Sequence, residues 1–243
     1  MNKLLTAVAA ATLATSSFAN EGTFYLRADA GLSYLPKQTL KFKDINDEDL
    51  IVNSKVKTQT KIKNNIVGAL GVGYYLTDNI RSELVLSNHF GTTQKGTQSL
   101  EVGGFQKITS TIAVTPTITS ITLKGLVDAY DFGAGKFFVG AGLGMSQVSA
   151  KAKYKTEEEI KVLGIKFNST EEGSFKWKKQ NNFSYLLTTG ASFNVSDTVK
   201  FDVAYTYANY GKLNKIKDEE GESFKCNYNL ASHNVTAGIR VSL

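Results

Sequence analysis

The segment from His233 to Leu243 alternates without a break: Val235, Ala237, Ile239, Val241 and Leu243 are apolar, and Asn234, Thr236, Gly238, Arg240 and Ser242 stand between them. A period of two over this length describes a strand with one apolar and one polar face. At the edge of an open sheet such a strand invites mispairing. In a closed barrel it pairs with the first strand instead, so the remaining chain is read as a set of partners for it.

Seven further stretches carry the same alternation: residues 23–35, 64–76, 80–90, 118–130, 136–149, 182–194 and 199–210. In the first, Phe24, Leu26, Ala28, Ala30, Leu32 and Tyr34 oppose Tyr25, Arg27, Asp29, Gly31 and Ser33. In the fifth, Phe137, Val139, Ala141, Leu143 and Met145 oppose a nearly bare face of Gly140, Gly142, Gly144 and Ser146. The connections alternate between long polar stretches (36–63, 91–117, 151–181, 211–231) and short ones (77–79, 131–135, 195–198) with turn chemistry. Strands of this length and this rhythm predict an all-β fold: an eight-stranded antiparallel transmembrane β-barrel with four long extracellular loops and three short periplasmic turns.

The first residues agree with export. Met1-Asn-Lys precedes an apolar run from Leu4 to Leu13, and Ser17 and Ala19 are the small residues a signal peptidase accepts. Residues 1–19 are therefore expected to be a signal peptide and residues 20–243 the barrel. That apolar run is too short to span a bilayer as a helix, and no long uninterrupted apolar run occurs elsewhere. A single cysteine, Cys226, leaves no internal disulfide framework, and it is read as a tolerated free thiol.

Period two alone does not say which face points inward, and a soluble lipocalin-type barrel would turn the charges out. The charges inside the strands fall on one parity: Arg27, Asp29, Arg81, Glu83, Lys124, Asp128, Lys200, Asp202 and Arg240. An eight-stranded barrel is just wide enough for side chains to fill it, so these nine are expected to form a salt-bridged lumen. All three arginines of the chain are in this set, whereas the four long connections hold 21 lysines and no arginine. Arginine suits a confined pair with a carboxylate, and lysine suits a hydrated surface.

These residues resemble a known family. Tyr74-Tyr-Leu-Thr-Asp-Asn-Ile-Arg-Ser-Glu83, Val127-Asp-Ala-Tyr-Asp-Phe-Gly133 with Phe138-Val-Gly-Ala-Gly-Leu-Gly144, and Val195-Ser-Asp-Thr-Val-Lys-Phe-Asp-Val-Ala-Tyr-Thr-Tyr207 are similar to hairpins of outer-membrane beta-barrel domain proteins of the OmpA, OmpX and opacity-protein type. The short leader, the lysine- and asparagine-rich loops and the size most resemble the Adr-type surface adhesins of rickettsiae. That resemblance implies binding to host-cell surface proteins or to serum proteins such as vitronectin. One departure is Leu243, where the family usually ends on Phe.

Function is sought in the connections, because loops vary freely on such a scaffold. Residues 36–63 and 151–181 each carry a net charge of +3, counted as seven Lys against four acids and eight Lys against five acids. Lys55, Lys57, Lys61 and Lys63, and separately Lys151, Lys153 and Lys155, alternate as though strands run on beyond the membrane and show lysine on one face. They are read as steering acidic partners, or as a solvated face that counters lipopolysaccharide phosphates. Trp177, with Phe175, Lys176, Lys178 and Lys179, is read as girdle or hairpin packing, with a binding anchor as the alternative.

Catalysis finds little support: Ser87 and His89 share a parity but lack a flanking hydrolase pattern, and His233 stands on another strand. No metal cluster, cofactor loop or nucleic-acid partner is expected. The partners expected are outer-membrane lipid, lipopolysaccharide and a host protein. The leading functional reading is an adhesin acting through its loops; the alternatives are a narrow OmpW-like channel for small solutes and a purely structural barrel.

Overall fold

The computed structural model describes residues 21–36, 39–40, 42–43, 56–60, 66–90, 93–102, 106–162, 165–217 and 223–243. The expected signal peptide, residues 1–19, and the candidate residues Lys55, Lys61 and Lys63 lie outside the described residues.

Strands follow one another as β1 (Phe24–Tyr34), β2 (Thr39–Leu40), β3 (Phe42–Lys43), β4 (Val56–Thr60), β5 (Ile66–Tyr75), β6 (Ile80–Phe90), β7 (Gln94–Val102), β8 (Gln106–Asp131), β9 (Gly135–Val162), β10 (Ile165–Asn194), β11 (Val199–Lys217) and β12 (Ser223–Ser242). Eight of them form a ring in which β1, β5, β6, β8, β9, β10, β11 and β12 pair in that order, each antiparallel to the next. The ring closes through ten residue pairs between β1 and β12, from Tyr25 opposite Ser242 to Tyr34 opposite His233. The barrel expected from the sequence is the barrel found. The short strands β2, β3, β4 and β7 add to it on the side of the long connections.

The tight turns are built by the residues their sequence offers. In the first, Thr77 Oγ1 accepts the backbone N–H groups of Asn79 (3.3 Å) and Ile80 (3.0 Å). In the second, Gly133 adopts φ +86°, a conformation that favours glycine, and donates its N–H to Asp131 Oδ1 at 2.8 Å. In the third, Ser196 Oγ accepts from the Val199 N–H at 3.1 Å.

Between these turns and the long connections the apolar parity faces out. Leu70, Leu123, Leu143 and Leu187 are each 57–63% exposed. A contiguous surface of this kind is unsuited to water and suited to hydrocarbon, where a closed ladder satisfies every backbone group. Aromatic residues mark both rims of the band. Phe24 packs on Tyr74, and Phe132 on Phe137 and Phe193, beside the tight turns. Tyr34, Tyr205 and Tyr207 surround His233 at the opposite rim. Such girdles delimit a membrane barrel.

The strands are longer than the alternation of apolar residues suggested. The stretches 91–117, 151–181 and 211–231 are largely strand: β8 starts at Gln106 rather than near residue 118, and β9 continues to Val162. Outward alternation of apolar residues records the thickness of the hydrocarbon, whereas backbone pairing continues into water. The polarity of the two faces inverts where the solvent changes. On β9 the outward residues run from Leu143 and Met145 to Lys151, Lys153 and Lys155, while the inward ones run from Gly142 and Gly144 to Val148, Ala150 and Ala152.

A charge on the outward parity is therefore tolerated beyond the band and costly within it. Leu123→Arg is expected to destabilise the barrel in lipid vesicles by about 2–4 kcal/mol, while Asn168→Arg on the extension changes it little. A urea titration read by the mobility of unboiled protein on gels measures both. Equal stability of the two variants would contradict a lipid-facing Leu123.

Candidate functional site

The lumen collects the charged parity. Arg27 lies between two carboxylates: its Nη1 donates to both oxygens of Glu83 (2.6 and 2.5 Å), and its Nε and Nη2 donate to the oxygens of Asp29 (2.9 and 2.7 Å). Arg81 pairs with Asp128 and approaches Glu83 at 3.7 Å. Lys124 stands 4.0 Å from the same Glu83. Arg240 reaches Asp202 (3.0 Å), the Tyr75 hydroxyl (2.8 Å) and Ser192 Oγ (2.5 Å). Of the nine lumen charges expected from the sequence, Lys200 has no ion-pair partner among the described residues; its Nζ lies 5.5 Å from the centre of the Tyr75 ring.

Aromatic rings complete this layer. Arg81 sits 4.8 Å from the Phe138 ring centre and Arg240 5.2 Å from that of Tyr25, whose hydroxyl donates to Glu83 at 2.8 Å. Glycines on facing strands make the room: a Cβ at Gly73 would strike the Tyr25 ring, and one at Gly238 the Asp29 carboxylate. Above the charges a cavity of about 50 Å³ remains, lined by Arg27, Lys124, Thr122, Thr188 and Tyr210 among others. That is room for a few waters at most.

His89 closes the next layer. Its Nδ1 lies 3.1 Å from Ser33 Oγ and its Nε2 2.8 Å from the Tyr210 hydroxyl. Ser87, the serine considered with it, bonds Ser120 Oγ at 2.8 Å instead. His233 lies on the outer surface, with Nδ1 2.6 Å from the Tyr205 hydroxyl. The three residues of the weighed hydrolase reading are thus not brought together. Over His89 sits an apolar cap of Leu35, Val114, Ile118, Val148, Ala150, Ala152, Trp177 and Leu230.

Trp177 takes the packing side of its expectation: it is only 3% exposed, faces inward and belongs to the cap, and so lies neither in the girdle nor on the surface as an anchor. The pairing of β10 with β9 slips between Trp177 and Gln180, where Trp177 opposes Ala150 and Gln180 opposes Val148. This bulge reverses the parity, so a residue that sequence counting places beside Phe183 and Tyr185 on the outside is turned into the core.

Beyond the apolar band β7, β8, β9 and β10 continue as a four-stranded antiparallel blade. Lys151, Lys153 and Lys155 are exposed on its outer face. The register adds two residues that the pattern within one strand did not reveal. Lys176 stands opposite Lys151, and Lys95 shares a row with Lys153 across Ala113. Neighbours on this face are about 5 Å apart across strands and about 7 Å apart along them. Lys155 is partly neutralised: it bonds Glu157 at 2.8 Å and approaches Glu172 at 3.6 Å, and the Glu157 hydrogen bond raises its pKa. Hydroxyl pairs fill the intervening positions, Thr97 with Thr111 and Ser99 with Thr109. Lys57 lies on β4, whose strand pairs with β2 and β7.

Two substitutions test which of these groups hold the fold. Arg81→Ala leaves Asp128 without its guanidinium, while Glu83 keeps that of Arg27, and it is expected to cost roughly 3–5 kcal/mol. Trp177→Ala empties the cap and is expected to cost a similar roughly 3–5 kcal/mol. Lys153→Ala should change stability by less than about 0.5 kcal/mol. Thermal midpoints from unboiled gels check the ranking; Arg81→Ala and Lys153→Ala with equal midpoints would contradict the lumen network.

Comparison with known proteins agrees with the fold. A protein of Rickettsia akari (strain Hartford) described as a "Putative adhesin" is 31% identical over 99% of this chain and 98% of its own. One of the same description from Rickettsia bellii (strain RML369-C) is 31% identical over the same shares. The crystal structure of the outer membrane protein OprG from Pseudomonas aeruginosa superposes with a TM-score of 0.52 at 12% identity, covering 93% of this chain and 99% of that one, and shows the shared fold alone. The outer membrane protein beta-barrel domain model matches residues 4–240. An eight-stranded ring with apolar residues outside and a matched length of this extent leave one assignment: the chain belongs to the outer membrane protein β-barrel domain family and resides in the bacterial outer membrane, at the cell surface.

Proposed function

We propose that the protein is an adhesin that meets acidic host-cell surface or serum proteins through the blade, after export directed by residues 1–19. The observation that carries this reading is the exposed outer face on which Lys95, Lys151, Lys153, Lys155 and Lys176 lie in register on paired strands. Fixed strands present charge at low ordering cost, and a basic face raises the rate of encounter with an acidic partner. Relatives described as putative adhesins support the same reading. Vitronectin, implied by the family resemblance of the sequence, is the serum partner to try first. The same lysines also serve as counter-ions for lipopolysaccharide phosphates at the foot of the blade.

The narrow-channel reading is disfavoured by the occupied lumen: paired arginines and aromatic rings fill one end, and the apolar cap the other. Lys200 and the cavity of about 50 Å³ are parts of that filled interior, with no binding role assigned to them.

The test replaces Lys151, Lys153 and Lys176 together by Gln in the refolded barrel and follows binding to immobilised vitronectin and to host cells. Association is expected to slow severalfold with dissociation little altered, and the wild type should lose the same advantage as salt rises past physiological strength, where exposed charges are screened beyond about 8 Å. Unchanged association by the triple variant, with the gel shift intact, would overturn the role of this face.

A further inference from the structure

The lower rows of the blade's outer face combine dense positive charge with an absence of apolar anchors. Lys95, Lys151, Lys153 and Lys176 are exposed there, and the bulge between Trp177 and Gln180 adds two consecutive exposed cations, Lys178 and Lys179. Among the described residues none of these six pairs with a carboxylate, whereas Lys155, one row higher, is held by Glu157 and Glu172. Threonines stand between the cations: Thr93 bonds Thr115 at 3.0 Å, and Thr97 bonds Thr111 at 3.4 Å. By register Thr115 is opposite Lys151 and Thr111 opposite Lys155. Each hydroxyl pair uses one of its two O–H donors and keeps the other for an anionic oxygen.

Ala113 makes this face concave. It lies between Lys95 and Lys153 on one row, and its small side chain leaves a shallow depression of about 480 Å³ whose walls include both lysines, Thr111, Lys155 and Glu172. Small-ligand sites span about 300–1,000 Å³. The depression also stands clear of lipid. Met145 is the last large apolar residue on the lipid side of β9, and a tilted strand rises about 20 Å from there to Lys153, whereas headgroups extend only about 5–8 Å beyond the hydrocarbon. A stable protein–protein interface is built on buried aromatic, methionine or arginine anchors and is poor in lysine. Among the described residues of these rows none is such an anchor. Base stacking by a nucleic acid needs aromatic rings as well.

We propose, resting on the adhesin reading of this face, that its ligand is a sulfated polysaccharide chain of the host-cell surface. A sulfate group offers several acceptor oxygens and a lasting negative charge, which suits ammonium groups with three donors beside hydroxyls. Lysines on this face recur about 7 Å apart along β9 and about 10 Å apart across Ala113, so the successive charges of one extended chain are met together. Lys95 and Lys153 take the sulfates of the sugar seated over Ala113. Lys151, Lys176, Lys178 and Lys179 carry the chain onward toward the barrel. Affinity is then spread over many exposed charge pairs, which needs no apolar core.

The experiment titrates the refolded full-length barrel, in an uncharged detergent, with a short heparin chain, the same chain stripped of sulfate, polyglutamate of equal length and a DNA duplex of equal charge. The sulfated chain should bind at least about tenfold more tightly than the other three, and its affinity should fall steeply with salt, as for any polyanion that releases counterions on binding. Lys95→Gln with Lys153→Gln should weaken it at least about tenfold, and Ala113→Glu, which sets a carboxylate in the depression, by a similar factor. Lys107→Gln removes a cation outside these rows and should leave binding unchanged. Unboiled gels check that each variant is folded. Equal affinity for the desulfated chain, polyglutamate or DNA would overturn the proposal. So would full displacement of the heparin chain by lipopolysaccharide added in the same detergent. Host cells treated with a heparan sulfate lyase separate this ligand from adhesion itself. Loss of wild-type attachment after the lyase supports both. Attachment that survives the lyase but falls in the variant lacking Lys151, Lys153 and Lys176 would keep the adhesin and overturn the sulfated ligand. Tight, sulfate-dependent binding without attachment to any host cell would support the ligand class and overturn the adhesin.

Discussion

Every feature of this protein depends on the requirement that backbone groups in hydrocarbon be paired within the chain. A sheet meets it only by closing, and the seam of ten residue pairs between β1 and β12 is where closure happens. Once eight strands close, the interior is too narrow to stay empty and too polar on its parity to be an oil core. The sequence answers with two kinds of filling. Paired charges and rings occupy the end near the tight turns, and aliphatic residues with Trp177 occupy the end beneath the blade.

The charged layer explains why arginine is confined to the lumen. Arg27 forks between Glu83 and Asp29, and Arg240 combines a carboxylate, two hydroxyls and the faces of Tyr25 and Tyr75. A planar guanidinium makes several such contacts at once, which an ammonium does not. Buried pairs of this sort are weak contributors to net stability, because desolvation offsets much of the attraction. Their larger effect is on register. A slip of one residue on any of these strands would turn its charges toward lipid, so the network penalises every alternative pairing.

The blade shows the same strands obeying a different solvent. Below, the outward face of β9 carries Leu143 and Met145; above, it carries Lys151, Lys153 and Lys155. The backbone ladder is continuous across this change, so surface chemistry is delivered on paired strands rather than on a free loop. Such a platform holds its lysines and its glutamates at fixed spacing, with Lys155 opposite Glu172 and Lys107 opposite Glu159.

The sequence by itself determined the ring. Alternation named the eight strands, turn chemistry named the three tight connections, and the shared parity of Arg27, Arg81 and Arg240 named the lumen, because side-chain period and strand geometry are local properties. The lysine alternation at Lys151, Lys153 and Lys155 likewise pointed to strands beyond the band. What it could not carry was anything set by register between strands. The partners of each arginine, the meeting of Lys95 and Lys176 with the other lysines, and the inward turn of Trp177 through a bulge all depend on which residue stands opposite which. That is decided when the sheet closes, because register is a property of pairs of strands and not of any one strand.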